Sequence, residues 1–272
     1  MKNSFAFKKS KIVLLSTALV SICMMGCAKE GALPEHTDVN AAVEESVGID
    51  GESAQDMAIN FTTLKEENPD IYGWLYIPNT SIDFPIMQSG ESDQYYQTHD
   101  SFANENSSGG VYTEMATMRD MCDFNTVLRG SKDILGEVDS FFDPDFFDKN
   151  ENFYIFIEGN KLTYEIVACY STTGDSPIRE YEFCYAPGCR DYINDIFATR
   201  DMTRQVRRDW AGLNETNFLA SLYIDTPSQT GEHTVLVGAL IADDAGTINR
   251  AVIEEPEDID ISTLLSIMEE AE

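Results

Sequence analysis

The sequence predicts a mainly β domain with short helices, an α+β chain closed into a small barrel of about eight strands behind one N-terminal helix. Three observations predict it. Short apolar runs rich in Val, Ile, Tyr and Phe recur along the chain, bounded by Gly, Pro, Asn and Asp. Helical spacing appears only in brief stretches between them, and no internal repeat is visible. Hydrophobic residues are 43% of a 272-residue chain, enough for one good-sized core plus extras.

The elements follow in order. Ala54, Met57, Ala58, Phe61 and Leu64 recur at helical spacing, and Asn68, standing before a proline, ends that helix. "GWLYIPNTSIDFPIMQ" holds two strands about the turn residues Pro78 and Asn79. "GGVYT", "NTVLRG", "NFYIFI" and "KLTYEIVACY" are further strands, the last two a hairpin across Glu158, Gly159 and Asn160. "DILGEVDSFF" and "RDYINDIFATR" have helical spacing, whereas residues 200–230 are mixed and yield no element. "TVLVGALI" and "INRAVIEE" read as the closing strands, and "DISTLLSIMEEAE" as a short amphipathic C-terminal helix. The barrel domain is thus expected over residues 54–255 and the last helix within 256–272.

The N-terminus carries an address. Lys2, Lys8, Lys9 and Lys11 precede the apolar run Ile12 to Met25, too short to span a membrane comfortably. The run ends in "MMGC", which resembles a bacterial lipobox and implies a signal peptide over 1–26, with Cys27 acylated as the first mature residue. Acyl chains contribute roughly 0.8 kcal/mol per buried methylene, so several of them would hold the chain on the outer face of the cytoplasmic membrane. Residues 27–53 have almost no large apolar side chains and read as a flexible acidic tether.

Charge excludes some partners. Eighteen basic against 48 acidic residues give −30, and loss of residues 1–26 with their four lysines would give −34. Binding nucleic acid through phosphate neutralisation is excluded by that balance. No loop has calcium-binding spacing, the cysteines match no zinc pattern, and no cofactor is indicated. Cys184 and Cys189 flank Pro187 and Gly188 in "CYAPGC", a spacing that predicts a disulfide across a turn. Cys122 and Cys169 are then left over, and four cysteines allow three pairings.

Four segments carry a family resemblance. Asn68–Asp70, Gly73–Ile77, Ile82–Ile86 and Tyr95–Asp100 hold, in order, a helix-ending Asn-Pro-Asp, a Gly-Trp-Leu-x-Ile strand, an Ile-Asp-Phe-Pro-Ile strand and a Tyr-Tyr-x-x-His-Asp segment. Together they resemble the class B sortases. The likeness extends to about residue 196 and resumes from Thr234 to Val252. It implies a transpeptidase of Gram-positive surfaces, in which a cysteine cleaves a sorting motif and passes the acyl group to a cell-wall amine. The family pattern has a histidine after Tyr-Gly, a cysteine ending a Leu-Ser-Thr-Cys strand, and an arginine on the following strand. The thiolate attacks, the histidine protonates the leaving amine, and the arginine supports the oxyanion.

On that pattern the reactive groups are missing. "NTVLRGS" puts Ser131 at the histidine position, and "TVLVGAL" puts Ala239 at the cysteine position. Arg250 in "INRAV" matches the arginine. Removing nucleophile and acid together costs on the order of a millionfold, while a peptide groove survives on shape and hydrogen bonds. The expectation is a pseudo-sortase of the cell envelope that binds a peptide or protein partner. Two alternatives stand: an active class B sortase with a displaced nucleophile, for which Cys122 is the nearest candidate, and a structural envelope lipoprotein. Cys169 reads as a buried structural thiol and His99 as structural, while His233 opens the final strand and His36 lies in the tether.

Overall fold

The computed structural model describes residues 59–198, 202–226 and 231–254. Cys27, the tether and the expected C-terminal helix lie outside the described residues. The first described element is helix α1 (Phe61–Glu67), capped by the Asn60 side chain accepting from Thr63 N at 3.2 Å. It ends at Asn68 in extended backbone, as a residue before proline must.

Among the described residues nine strands follow: β1 (Ile71–Tyr76), β2 (Asp83–Met87), β3 (Val111–Tyr112), β4 (Asn125–Ser131), β5 (Asn152–Ile157), β6 (Asn160–Thr172), β7 (Gln205–Val206), β8 (Leu219–Asp225) and β9 (His233–Asp243). The sheet order is β5-β1-β2-β3-β4-β8-β9-β6-β7, and a β5–β6 pairing closes eight of these strands into a barrel with β7 attached at the end of β6. β2 with β3 and β4 with β8 are parallel pairs; the remaining pairs are antiparallel. Strand 5 turns into strand 6 through Gly159 at φ +76, a left-handed position that suits a residue without Cβ.

Alternation along each strand separates the barrel interior from two outer clusters, one under α1 and one under the helix that follows β6. Leu128, Leu222, Leu236, Ile155, Leu162 and Tyr164 fill the barrel. The opposite faces of β4, β8, β9 and β6 bury Val127, Tyr223, Val235, Val237 and Val167 beneath helix α5 (Ala186–Ala198), whose Tyr192, Ile193 and Ile196 face them. Both faces of these strands are covered, which is why they read as nearly continuous apolar runs. The shorter helices α2 (Lys132–Leu135), α3 (Pro144–Lys149) and α4 (Pro177–Glu180) connect strands, and a 3-10 turn at Gly136–Phe142 continues α2.

Two sequence expectations are corrected. Residues 200–230, which yielded no element, contain β7, a 3-10 turn at Arg208–Gly212 and β8. Conversely, "INRAVIEE" is not a closing strand: its described part, residues 248–254, has no regular structure. The C-terminal segment is instead tied down by contacts, Ala186 N donating to the Ile253 carbonyl at 2.8 Å and Arg190 pairing with Glu254 at 3.3 Å. Among the described residues the final strand is β9, and β8 lies between it and β4.

Packing inside the barrel depends on Gly238 of β9. A Cβ there would overlap the Phe153 ring and lie 2.9 Å from Tyr164 Cβ, within a stacked Phe153–Tyr164 pair whose centroids are 5.2 Å apart. Gly238→Ala is expected to lower stability by about 1–3 kcal/mol, the usual cost of overpacking a core. Urea unfolding of the two proteins checks this; an unchanged midpoint would contradict the packing.

Candidate functional site

Strand register places the chemistry-bearing residues. Ser131 ends β4 opposite Asp225, which ends β8. β9 runs antiparallel to β8 with Thr234 opposite Ile224, so His233 stands at the same end of the barrel. Ala239 lies elsewhere. It pairs with Leu219, and Leu219 pairs with Asn125, the first residue of β4. From Asn125 to Ser131 is about 20 Å at the rise of a strand.

The expected trio of Ser131, Ala239 and Arg250 is therefore not assembled. Ala239 is fully buried in the core beneath α5 and presents nothing to solvent. Arg250 is at Ala239's end, its guanidinium 5.2 Å from the Phe124 ring and 5.4 Å from the Phe218 ring. Its Nη2 donates to the Glu215 carbonyl, and to that of Asn217 at 3.4 Å. Burial lowers its pKa from the ordinary arginine value, opposed by Cys189 and Asp123. Arg250 fastens the segment that follows β9.

Ser131 Oγ donates to the Ser108 carbonyl at 2.6 Å, and Lys132 turns away to pair with Asp139 at 2.6 Å. Asp225 is held by Arg129 of β4, whose Nη2 lies 2.6 Å from Asp225 Oδ1. The other arm of Arg129 donates to Glu114 Oε1 at 2.7 Å, and Arg179 meets the same carboxylate from outside at 3.1 Å. Tyr112 Oη donates to Asp225 Oδ2 at 3.4 Å, and the Arg129 guanidinium stands 5.4 Å from the Tyr223 ring centroid. The Arg129 and Glu114 side chains are only 11% and 6% exposed, so the cluster has a buried ion pair at its centre with Asp225 and Arg179 partly exposed at its edges. Burial disfavours the guanidinium charge, but its bonds to Asp225 and Glu114 outweigh that and raise its pKa. His233 stacks on Tyr223 with centroids 4.7 Å apart.

The cysteines are dispersed. Cys184 and Cys189 are free rather than bridged. Ala186, Pro187 and Gly188 open α5 instead of forming a turn, as a proline in the first helical turn allows. Cys189 is buried in that first turn, its Sγ donating to the Phe183 carbonyl at 3.5 Å, and burial pushes its thiol up to about 11. Cys169 lies on β6 within the barrel core. Cys122 is half-buried, its Sγ donating to the Asp120 and Thr247 carbonyls at 3.6 and 3.9 Å. Burial, with Asp120 and Asp123 adding to it, raises that thiol's pKa and disfavours the thiolate. His99 is structural: its ring stacks on Tyr95 at 4.0 Å and its Nδ1 meets the Tyr95 carbonyl at 2.8 Å.

A groove of 620 Å³ runs along the outer side of the barrel, between the loop leading into β4, residues 178–184 and the segment following β9. Cys122, Cys184 and Arg250 line it, and no histidine does.

Against known proteins, the fold settles the architecture. The S. aureus sortase B–substrate complex covers 66% of this chain and 84% of its own, at 20% identity and TM-score 0.58. This is the class B sortase fold. A mutant form of Clostridium perfringens sortase B aligns over 67% of the chain and 86% of its own, at 22% identity and TM-score 0.58. A Streptococcus pyogenes class B sortase involved in pilus biogenesis gives 0.57 at 21% identity, over 67% of this chain and 98% of that one. In sequence, the sortase B-like chain is 30% identical to Listeria monocytogenes sortase B over 138 residues, which are 49% of this chain and 55% of that protein. The match thus spans about half of the curated relative. No family model matches.

Sequence reasoning missed the Glu114–Arg129–Asp225 cluster. Its one legible signal was an arginine inside the apolar strand "NTVLRG", a charge that must find partners. Arg129→Met would leave Asp225 without its cation and Glu114 with Arg179 alone, and is expected to cost about 1–3 kcal/mol, since Asp225 is partly exposed. Adding Glu114→Gln and Asp225→Asn should restore most of the loss, and chemical denaturation of the single and triple variants checks both. Equal stability of wild type and Arg129→Met would contradict the buried pairing.

Proposed function

We propose that this sortase B-like chain is a catalytically silent member of the cell-envelope machinery, anchored through lipid at Cys27, that binds a peptide or protein partner. One observation carries the reading: the strand end beside Ser131 bears Asp225, not a cysteine, and Asp225 is bonded to Arg129. The class B pattern has its cysteine ending a strand and its cation on the strand that follows. The β4–β8–β9 register supports reading those places at Asp225 and His233 rather than at Ala239 and Arg250. Either way, Ser131 stands at the histidine position, and its hydroxyl is spent on a carbonyl.

Acyl transfer needs a nucleophile that forms an intermediate and an acid that protonates the leaving amine. An arginine-bound carboxylate supplies neither. Among the described residues, His233 has no cysteine in its strand-end group. Sortases act on secreted proteins at the envelope, which agrees with the signal read at residues 1–26 and with the absence, among the described residues, of a helix long and apolar enough to cross a membrane.

A displaced nucleophile is the second reading, favoured by Cys122 and Arg250 lining one groove. The raised thiol pKa and the lack of a lining histidine weigh against it. Incubating the protein with sorting-motif peptides and an amine acceptor separates the two. Cleavage and transfer are expected to stay at the uncatalysed rate. Transfer that disappears in Cys122→Ala would overturn the silent reading and establish the second.

A further inference from the structure

The start of α5 brings two thiols together. Cys189 N donates to the Tyr185 carbonyl at 3.2 Å, the first bond of the helix, so Tyr185 is its N-cap. Cys184 is then the residue before the cap, and Cys189 the fourth residue inside the helix. Those are the two positions whose side chains pack across a helix start as a hydrophobic staple. Here both are cysteines, and both are free thiols. The turn before the helix is pressed onto it: Tyr185 N donates to the Glu182 carbonyl at 3.3 Å, and a Cβ at Gly188 would overlap that same carbonyl. Cys189 Sγ donates at 3.5 Å to the Phe183 carbonyl, which belongs to the peptide leading into Cys184. The buried sulfur thus already lies against its partner's backbone.

Access differs between the two. Cys184 is exposed, whereas Cys189 is buried. A hydrogen bond with Glu182, joined by burial, raises the Cys184 pKa, and burial raises that of Cys189, so neither thiolate is favoured at neutral pH. Exchange with another disulfide must therefore begin at Cys184, the thiol that such a reagent can reach. A bond between the two sulfurs would close a loop of only six residues, which removes little chain entropy, and its exposed half would leave it open to reduction. The same turn holds other parts of the chain. Ala186, between the thiols, donates its N–H to the Ile253 carbonyl at 2.8 Å, and Arg190 pairs with Glu254 at 3.3 Å.

We propose that Cys184 and Cys189 are a redox-active pair whose reversible disulfide latches the start of α5 and, through Ala186, the segment that follows β9. This is independent of what the groove binds and of whether the chain turns over a substrate. The oxidant is a disulfide. The Cys184 thiolate attacks one of its sulfurs, one thiol leaves, and a mixed disulfide forms. Cys189 then attacks the Cys184 sulfur and expels the second thiol, so the protein loses two hydrogens and the oxidant gains them. On the outer side of the membrane, where the function proposed above puts the chain, such bonds persist.

Trypsin cuts after Arg179 and Arg190, so one peptide, residues 180–190, holds both cysteines. The folded protein is treated with oxidised glutathione, its remaining thiols are alkylated, and that peptide is weighed. It is expected to be unalkylated and two hydrogens lighter than its reduced form, and to take up two alkyl groups after dithiothreitol. Cys189→Ser should instead stop at a mixed disulfide between Cys184 and glutathione. Hydrogen exchange at the Ala186 amide should be at least about fivefold slower in the oxidised protein. In Cys184→Ser, an exposed position, the oxidant should leave that rate unchanged. Both cysteines still alkylated, a glutathione adduct persisting in the wild type, or Cys184 bridged to Cys122 overturns the pair. An Ala186 exchange rate equal in the two forms overturns the latch. These readings use the unaltered chain, so they hold even where Cys189→Ser fails to fold.

Discussion

The insertion of β8 between β4 and β9 is the constraint on which the molecule depends. A parallel β4–β8 pair cannot be joined by a tight turn, so the chain must travel from Ser131 through β5, β6, α5 and β7 before it returns. That long excursion supplies the helix covering the outer faces of β4, β8 and β9, and it supplies one wall of the groove. The return also fixes which residues meet. Because side chains alternate, Ser221, Tyr223 and Asp225 face outward while Ala220, Leu222 and Ile224 fill the barrel. A slip by one residue would exchange the two sets, burying Asp225 and Ser221 in an apolar interior.

Arg129 makes that register costly to change. It joins Asp225 on β8 to Glu114 just beyond β3, with Tyr112 and Tyr223 beside its guanidinium. Such a cluster adds little net stability compared with apolar packing, because each charge loses its hydration. Its effect is on specificity: any other pairing leaves charges buried and alone. The same cluster lies at the strand end that carries Ser131, so one set of side chains both locks the register and gives that end of the barrel its charge.

Much of the fold was legible because it is local. The hairpin of β5 and β6, the end of α1 at Asn68 and the runs of β1, β2, β4 and β9 all follow from short-range patterning. β8 was hidden for a physical reason. It follows a polar stretch with a 3-10 turn, and Ser221 and Asp225 interrupt its apolar run because their partners, Asn125 and Arg129, lie about 96 residues earlier in the chain. With β8 unseen, "TVLVGALI" was matched to the strand beside β4, and Ala239 and Arg250 lie at the opposite end of the barrel from Ser131. Ser131 ends its strand as "NTVLRGS" suggested, because that run carries its own pattern. The Pro187–Gly188 pair misled in the same way, since a proline serves the first turn of a helix as well as a loop.

The most direct measurement is covalent. Parallel neighbours lie about 4.8 Å apart, within the span that a disulfide bridges. Ser131→Cys/Asp225→Cys should therefore oxidise to an intramolecular disulfide, detected by mass spectrometry of the digested protein. Ser131→Cys/Ala239→Cys should not. Bridging in the second variant and not in the first would contradict the register, and with it the reading proposed for Asp225.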